Sequence, residues 1–190
     1  KTGTLTEDKI VLEKYLNIKG EEDTRVLKHA FLNSYFQTGL EGSIDNAVIA
    51  RAKKTELKGI EENYEKIDEI PFDFTRRRLS VVVSDGKKKQ LITKGAVEEI
   101  LSICSMVDYK GEVSEITKDI KRNILEITKD LNKQGLRVVA VCQKNDIENI
   151  TKFSVKDESK MVLMGFIGFL DPPKKSAKDA IARLNRDGIR

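Results

Sequence analysis

Residues 71–78 place aromatic rings beside three guanidinium groups, a combination that suits a nucleotide. The ring of Phe74 offers a face on which a base can stack, a contact worth ~1–3 kcal/mol in nucleic-acid complexes. Arg76 and Arg78 can pair with phosphate oxygens in forked geometry. Residue type alone favours another arrangement, with Phe72 and Phe74 in the core and the arginines in a solvated turn. Both interpretations stand at this stage.

Three further positions carry charges that would suit the same ligand. Lys94 precedes Gly95 at a strand end, directly before a helix start whose partial positive charge favours phosphate. Arg137 begins a strand, where it can reach a phosphate or the last carbonyls of the preceding helix. Asp45, in a first helical turn, can accept a hydrogen bond from an adenine amino group or simply favour the helix dipole. Each signal is weak alone, and a surface turn is the ordinary place for a residue such as Lys94.

Several familiar devices are missing from the sequence. Neither G-x-x-x-x-G-K-[ST] nor G-x-G-x-x-G occurs, so a bound nucleotide would need another kind of cradle. His29 is the only histidine, and Cys104 and Cys142 lie far apart, so no Cys/His metal site is expected. The two cysteines are expected to be reduced, buried thiols.

Composition indicates a globular domain with a heavily charged surface. Of the 190 residues, 35% are charged and 39% hydrophobic, and the net charge is +4. This mild excess favours anionic ligands without demanding nucleic acid. The longest apolar run, residues 161–170, is too short to cross a bilayer. No signal peptide is expected at the start of the chain.

The hydrophobic pattern predicts the elements that must position these residues. Strands are expected at residues 8–17, 67–70, 79–84, 90–93, 136–143 and 161–170. Helices are expected at 22–35, 43–52, 96–103 and 116–131, and a last one after residues 171–173. Ser43 is predicted as an N-cap and Gly135 as a C-terminal cap. We expect an α+β fold, a mixed or antiparallel sheet with helices packed on it.

The first six residues, Lys1-Thr2-Gly3-Thr4-Leu5-Thr6, resemble the phosphorylation motif of P-type ATPases, in which an aspartate precedes the lysine. The remaining features follow in the order seen in the nucleotide-binding domain of that family, so the resemblance covers the whole chain. They are Asp45, Phe74 with Arg76 to Arg78, Lys94 to Ala96, Arg137, and Asp171-Pro172-Pro173. Residues 70–83 and 33–39 are most similar to the bacterial magnesium-importing subgroup.

The resemblance implies a piece of an ATP-driven cation pump, cut just after its nucleophile. Residues 1–10 would be the edge of a phosphorylation domain, 11–170 the nucleotide-binding domain, and 171–190 the return into the phosphorylation domain. The implied ligand is ATP, with Mg²⁺ bound to it, and the implied partners are the phosphorylation and actuator domains. The implied location is the cytoplasmic side of the cell membrane, joined to it through transmembrane helices outside this chain.

The implied binding residues are Asp45, Phe74, Arg76, Arg78, Lys94, Gly95 and Arg137, with no protein metal site. Lys1, Thr2, Gly3 and Thr4 would be the remnant of the motif, and Asp171, Pro172 and Pro173 the hinge. The chain departs from the family where Asp45 replaces the usual glutamate and where the segment after Phe74 is short. That shortening leaves open which arginine takes the role of a family lysine.

Three alternatives remain open at the level of sequence. One is a pump for another cation, such as calcium, potassium or the proton. Another is a nucleic-acid-binding module, in which residues 76–78 and 87–89 would follow a phosphate backbone. Against it, aromatic residues make up only 6% of the chain and 31 acidic residues nearly balance 35 basic ones. The third is a phosphatase of the haloacid dehalogenase type, which needs aspartates at the chain start.

Overall fold

The computed structural model describes residues 9–39, 42–145, 147, 149 and 151–172. The strands are β1 Val11–Leu16, β2 Glu65–Asp73, β3 Arg78–Ser84, β4 Lys89–Gly95, β5 Cys104–Tyr109, β6 Glu112–Glu115, β7 Arg137–Lys144 and β8 Met161–Leu170. The helices are α1 Thr24–Phe36, α2 Ser43–Ala52, α3 Val97–Ile103 and α4 Lys118–Lys133. Short 3-10 turns occur at Ile60–Asn63 and Val155–Asp157. The predicted α+β class is confirmed.

The strands form one mixed sheet in the order β2-β3-β4-β7-β8-β5-β6, and β1 also pairs with β8. One edge of β8 pairs with β7, while β5 and β1 share its other edge. The pair β5–β8 is parallel, whereas the other pairs in the described part of the chain are antiparallel. Because β8 has neighbours on both edges and both of its faces are covered, it is a continuous apolar run.

Helices cover both faces of the sheet, which gives three layers. Along β3, Val81 faces α1 and α2, and its neighbour Val82 faces α3 and α4, because successive strand residues point to opposite faces. The first core contains Phe31 of α1, and the second contains Ile100 of α3 and Ile124 of α4. The α1/α2 face and the α3/α4 face are named by these helices below.

The helix ends follow local capping chemistry. The side chain of Asp23 caps α1, and that of Thr117 caps α4. Gly135 has a φ of 83° just after α4, which confirms the predicted C-terminal cap. The prediction of Ser43 as an N-cap is wrong by one residue, because Gly42 holds the extended cap conformation and Ser43 is already helical.

The hairpin of β5 and β6 was not predicted from the sequence. Its turn consists of Lys110 and Gly111, with φ of 53° and 99°. Two successive positive φ values match the right-handed twist of a tight hairpin. The hairpin lies at the opposite edge of the sheet from β2.

Candidate functional site

Lys94 and Asp45 form a buried ion pair between the sheet and α2. The Nζ of Lys94 contacts Asp45 Oδ1 and donates a hydrogen bond to Ser34 Oγ at 2.7 Å. Lys94 is only 8% exposed and Asp45 only 7%, so Lys94 is not a surface turn residue. The second oxygen of Asp45 accepts a hydrogen bond from the Gly42 amide at 3.4 Å. Asp45 therefore supports the start of α2 and balances the charge of Lys94.

The electrostatics of this pair follow from its burial. Burial lowers the pKa of the Lys94 ammonium, and the charge of Asp45 opposes that shift. For Asp45, burial acts to raise the pKa, but the charge and hydrogen bond of Lys94 outweigh it, and the net pKa is lowered. The carboxylate form of Asp45 is thus favoured, and Lys94 would meet a phosphate with its charge already compensated.

Phe74 lies at the tip of the turn between β2 and β3, residues 73–78, named here the Phe74 turn. Its side chain is 89% exposed, and that of Phe72 is 51% exposed. The two rings meet edge to face, with centroids 5.3 Å apart and planes at 87°. The interpretation of both rings as core residues is therefore wrong: Phe72 lies where the pairing of β2 with β3 shifts in register, between Ile70 and Asp73, and Phe74 lies beyond the last pair. An aromatic face of Phe74 remains open to solvent.

Backbone hydrogen bonds fix the shape of the Phe74 turn. The carboxylate of Asp73 accepts a hydrogen bond from the Arg76 amide at 2.7 Å, and its carbonyl accepts one from the Arg77 amide at 2.7 Å. Arg77 has a φ of 46°, and its carbonyl accepts a hydrogen bond from the Ala96 amide at 3.1 Å. The turn is therefore tied to the residue that precedes α3.

Gly95 allows the Phe74 turn to lie directly against the end of β4. A Cβ at this position would stand 2.5 Å from the Arg77 carbonyl oxygen and 2.5 Å from Arg78 Cβ. Only glycine permits this approach, so the Lys94-Gly95 pair joins the buried ammonium to the turn that carries Phe74.

The side chains of Arg76 and Arg78 bind the carboxylate of Glu158, a residue that the sequence analysis did not identify. Arg76 Nη1 donates to both oxygens of Glu158, at 2.9 and 2.8 Å, and Arg78 Nε donates to Glu158 Oε2 at 2.8 Å. The Ser80 hydroxyl donates to Glu158 Oε1 at 2.7 Å and is paired with Thr93. These arginines are 17% and 12% exposed, so the expectation of a solvated turn is wrong for both.

This cluster lies on the other face of the sheet from the Lys94 ammonium. Ser80 pairs with Thr93 across β3 and β4, and Lys94 is the next residue along β4. Because successive side chains alternate, Thr93 and Ser80 point to the α3/α4 face while Lys94 points to the α1/α2 face. The structure therefore separates Arg76 and Arg78 from the Lys94–Asp45 pair.

Arg137 is the exposed first residue of β7. Lys94 pairs with Val141, four residues along the same strand, so Arg137 and Lys94 point to the same face. That separation corresponds to roughly 13 Å along the strand. Arg137 is placed beyond the end of β4, on the same side of the sheet as Lys94.

The predicted residues lie toward one end of the sheet, on both of its faces. The Phe74 turn, Gly95 and Arg137 lie at this end because, in the order β2, β3, β4 and β7, each strand runs antiparallel to the next. Val11 and Leu170, where the chain enters β1 and leaves β8, pair at the same end. Asp171 and Pro172 follow directly and are partly buried. The predicted roles of Pro173 and of residues 1–4 fall outside the described residues.

The described residues contain no group of three or more His, Cys, Asp or Glu side chains arranged to hold a metal ion. Among the same residues, no helix combines the length and apolar character needed to cross a membrane.

Comparison with known proteins decides the family. Residues 33–176 match the family described as the P-type ATPase, cytoplasmic domain N. The chain belongs to this family. It is 46% identical over its whole length to "Magnesium-transporting ATPase, P-type 1" of Escherichia coli K12 and 45% identical to the protein of the same name from Salmonella typhimurium LT2. It is 28% identical to "Calcium-transporting ATPase 1" of Lactococcus lactis.

The chain spans only part of these relatives. It covers 21% of the length of each magnesium-transporting relative and 24% of the calcium-transporting one. Family membership supports the main interpretation of the sequence over a nucleic-acid-binding module.

Proposed function

We propose that this chain is the nucleotide-binding domain of a cation-transporting P-type ATPase and binds ATP by its adenosine end. The exposed ring of Phe74 carries the proposal, because a residue that is 89% exposed on a hydrogen-bonded turn has no role in the core. Open aromatic faces of this kind bind bases by stacking. The turn that carries this ring contacts Gly95 at the end of β4, one residue from Lys94.

The other roles follow from the positions of the charges. Lys94 would form the pocket floor, and Asp45 would orient it and face the adenine edge. Gly95 would let the Phe74 turn approach. Arg137, exposed on the face of Lys94, is the best placed of the predicted arginines for a phosphate, and Arg76 or Arg78 would have to share its guanidinium with Glu158. Mg²⁺ would arrive bound to the phosphates of ATP.

We infer the domain arrangement from the shared end of the sheet. Residues 11–170 would form the nucleotide-binding domain, and residues 1–10 and 171–190 would belong to a phosphorylation domain. Entry at Val11 and exit at Leu170 lie at the same end as Phe74, so the phosphates of a nucleotide stacked there can extend toward that domain. In the whole pump, an aspartate before Lys1 would attack the γ-phosphorus and release ADP, leaving an aspartyl phosphate.

The transported ion of the whole protein is proposed to be magnesium. The support is the identity of 45–46% to relatives named for magnesium transport, against 28% to one named for calcium transport. The domain would work on the cytoplasmic side of the cell membrane, next to phosphorylation and actuator domains of the same pump.

The test is a titration of the chain with ATP, followed through the amide chemical shifts of each residue. We expect saturable shifts at Asp45, Phe74, Lys94 and Arg137. Phe74→Ala should weaken ATP binding by about 5- to 150-fold, the equivalent of one stacking contact. Val113→Ala, which shortens another exposed apolar side chain at the far edge of the sheet, should leave the affinity unchanged. An unchanged affinity in Phe74→Ala would refute the stacking role.

The same titration with single-stranded DNA distinguishes the nucleic-acid alternative. A nucleic-acid-binding module would bind DNA with an affinity that falls steeply as salt rises, because released counterions drive the binding. The proposed function requires ATP binding without comparable DNA binding.

A further inference from the structure

Glu158 is a buried carboxylate at which three side chains of the Phe74 turn and β3 meet. It follows the 3-10 turn Val155–Asp157 and stands just before β8. Its side chain has no exposed surface, although a carboxylate is costly to remove from water. Such a residue persists where its charge is paired and its oxygens accept several hydrogen bonds, as Arg76, Arg78 and Ser80 provide here.

Arg76 links Glu158 to the backbone of the Phe74 turn. Its Nη1 reaches Glu158, and its Nη2 donates to the Pro71 carbonyl oxygen at 2.7 Å. Its amide donates to the Asp73 carboxylate, on the near side of Phe74. One guanidinium therefore connects the strand that leads into the turn with a loop more than eighty positions away in sequence. Without the carboxylate, two guanidinium groups would lose their shared partner and the turn would lose this anchor.

We propose that Glu158 is a positioning residue that holds the Phe74 turn in the conformation that presents the ring to adenine. The inference rests on the proposed function of the chain. It assigns Arg76 and Arg78 to the support of the turn rather than to phosphate. Glu158 would then influence nucleotide binding only through the position of the Phe74 ring, so its replacement should lower the affinities for ATP and adenosine alike.

The decisive comparison is between adenosine and ATP, titrated separately into wild-type protein and Glu158→Gln. The amide keeps the shape of the side chain but removes its charge. We expect the affinities for adenosine and ATP to fall by the same factor, about 3- to 10-fold. A loss of this size corresponds to part of the free energy of one stacking contact. A loss confined to ATP, or no loss in a folded variant, would overturn the proposal.

Asp108→Asn is the matched control. Asp108 is a buried carboxylate of β5 that pairs with Arg25 through two hydrogen bonds, at 2.7 and 2.9 Å. It lies five strands across the sheet from β2, roughly 24 Å away at ~4.8 Å per strand. Its replacement removes the charge of another buried carboxylate that is paired with an arginine, yet the affinity for both ligands should stay at the wild-type value.

A second variant and a ligand-free measurement keep the proposal testable if Glu158→Gln does not fold. Arg76→Lys retains a positive charge for phosphate but cannot reach Glu158 and the Pro71 carbonyl together, so we again expect equal losses for both ligands. Amide hydrogen exchange at residues 74–77 should quicken in both variants and not in Asp108→Asn. If wild-type protein binds neither ligand, the proposed function is wrong. Unchanged amide hydrogen exchange at residues 74–77 in the variants would separately overturn the anchoring role of Glu158.

Discussion

Gly95→Ala is the substitution whose effect can be worked out most directly from the structure. The new methyl carbon would lie 2.5 Å from the Arg77 carbonyl oxygen, 2.5 Å from Arg78 Cβ and 2.9 Å from Arg78 Cα. Two of these atoms are backbone, so the contact cannot be relieved by rotating a side chain. Overpacking of this kind costs about 1–3 kcal/mol. We expect the strain to be relieved by displacement of the Phe74 turn from β4.

Two measurements on Gly95→Ala check this reasoning. The midpoint of thermal unfolding should fall by about 2–4 °C per kcal/mol in a domain of this size. ATP affinity should fall as well, because the turn that carries Phe74 has moved. Gly39→Ala is the control, since a Cβ there would meet nothing within 4 Å. A Gly95→Ala protein with wild-type stability, or one that is destabilised but binds ATP normally, would refute the argument.

Three further predictions concern stability. Asp45→Asn should lower the free energy of unfolding by about 3–5 kcal/mol in urea titrations, because it leaves the Lys94 ammonium buried without a counter-charge. The double variant Asp45→Leu with Lys94→Met should recover part of this loss. Burial lowers the pKa of His29 to about 4, below its ordinary value of about 6.5. The unfolded chain therefore binds a proton more readily, and the free energy of unfolding should fall by up to about 3 kcal/mol as the pH falls from 6.5 toward 4. His29→Gln should flatten this pH dependence. Gly165→Ala would place a Cβ 2.0 Å from a carbonyl oxygen of β1, at a residue whose φ is 152°. Differential scanning calorimetry should show a loss of at least about 3 kcal/mol in the free energy of unfolding. Gly168→Ala, whose Cβ would have its nearest contact at 3.4 Å, should cause only a small loss.

The sequence predicted the regular elements well where local signals agree. The apolar repeat of α4 has steps of three and four residues and is followed by Gly135, and the helix forms over Lys118–Lys133. The apolar run at Met161–Leu170 is found as β8 with the same bounds. Both patterns depend on residues that are close together in the sequence, so the spacing of apolar residues is enough to detect them.

The β5–β6 hairpin escaped prediction because its signals are weak. β5 begins at Cys104, immediately after α3, with no glycine or proline to separate the two elements. β6 has only four residues, all exposed, so it shows no alternation of buried and exposed positions. Among the described residues it pairs with β5 alone, and the choice of partner strand is not visible in composition.

Pairings across long sequence separations limited the prediction of the site. Lys94 and Asp45 were both identified as candidates, but their contact joins residues 49 positions apart. Glu158 was missed because it lies about eighty positions from the arginines that it binds, in a stretch with no motif. An acidic residue three positions before a buried strand was the one available signal, and this signal is not specific. Burial of charge is a tertiary property, so it becomes visible only when the sheet is assembled.

Every cation of the Phe74 turn has a carboxylate partner, as does Lys94, and this constrains how the site can bind phosphate. Lys94 contacts Asp45, Arg77 contacts Glu99, and Arg76 and Arg78 share Glu158, with the Asp73 carboxylate 4.0 Å from Arg76 Nε. A phosphate would have to displace these carboxylates, or use the exposed Arg137, which has no carboxylate partner in the described part of the chain, or a metal ion carried by ATP. We therefore expect the chain by itself to bind adenosine within about threefold of its affinity for ATP, because stacking supplies most of the contact. The affinity for ATP should fall only modestly with salt, since salt would screen the exposed Arg137, whereas the charges of Lys94, Arg76 and Arg78 lie in buried pairs that are screened far less. A tenfold or larger preference for ATP that disappears as salt is added would show instead that phosphate opens these pairs.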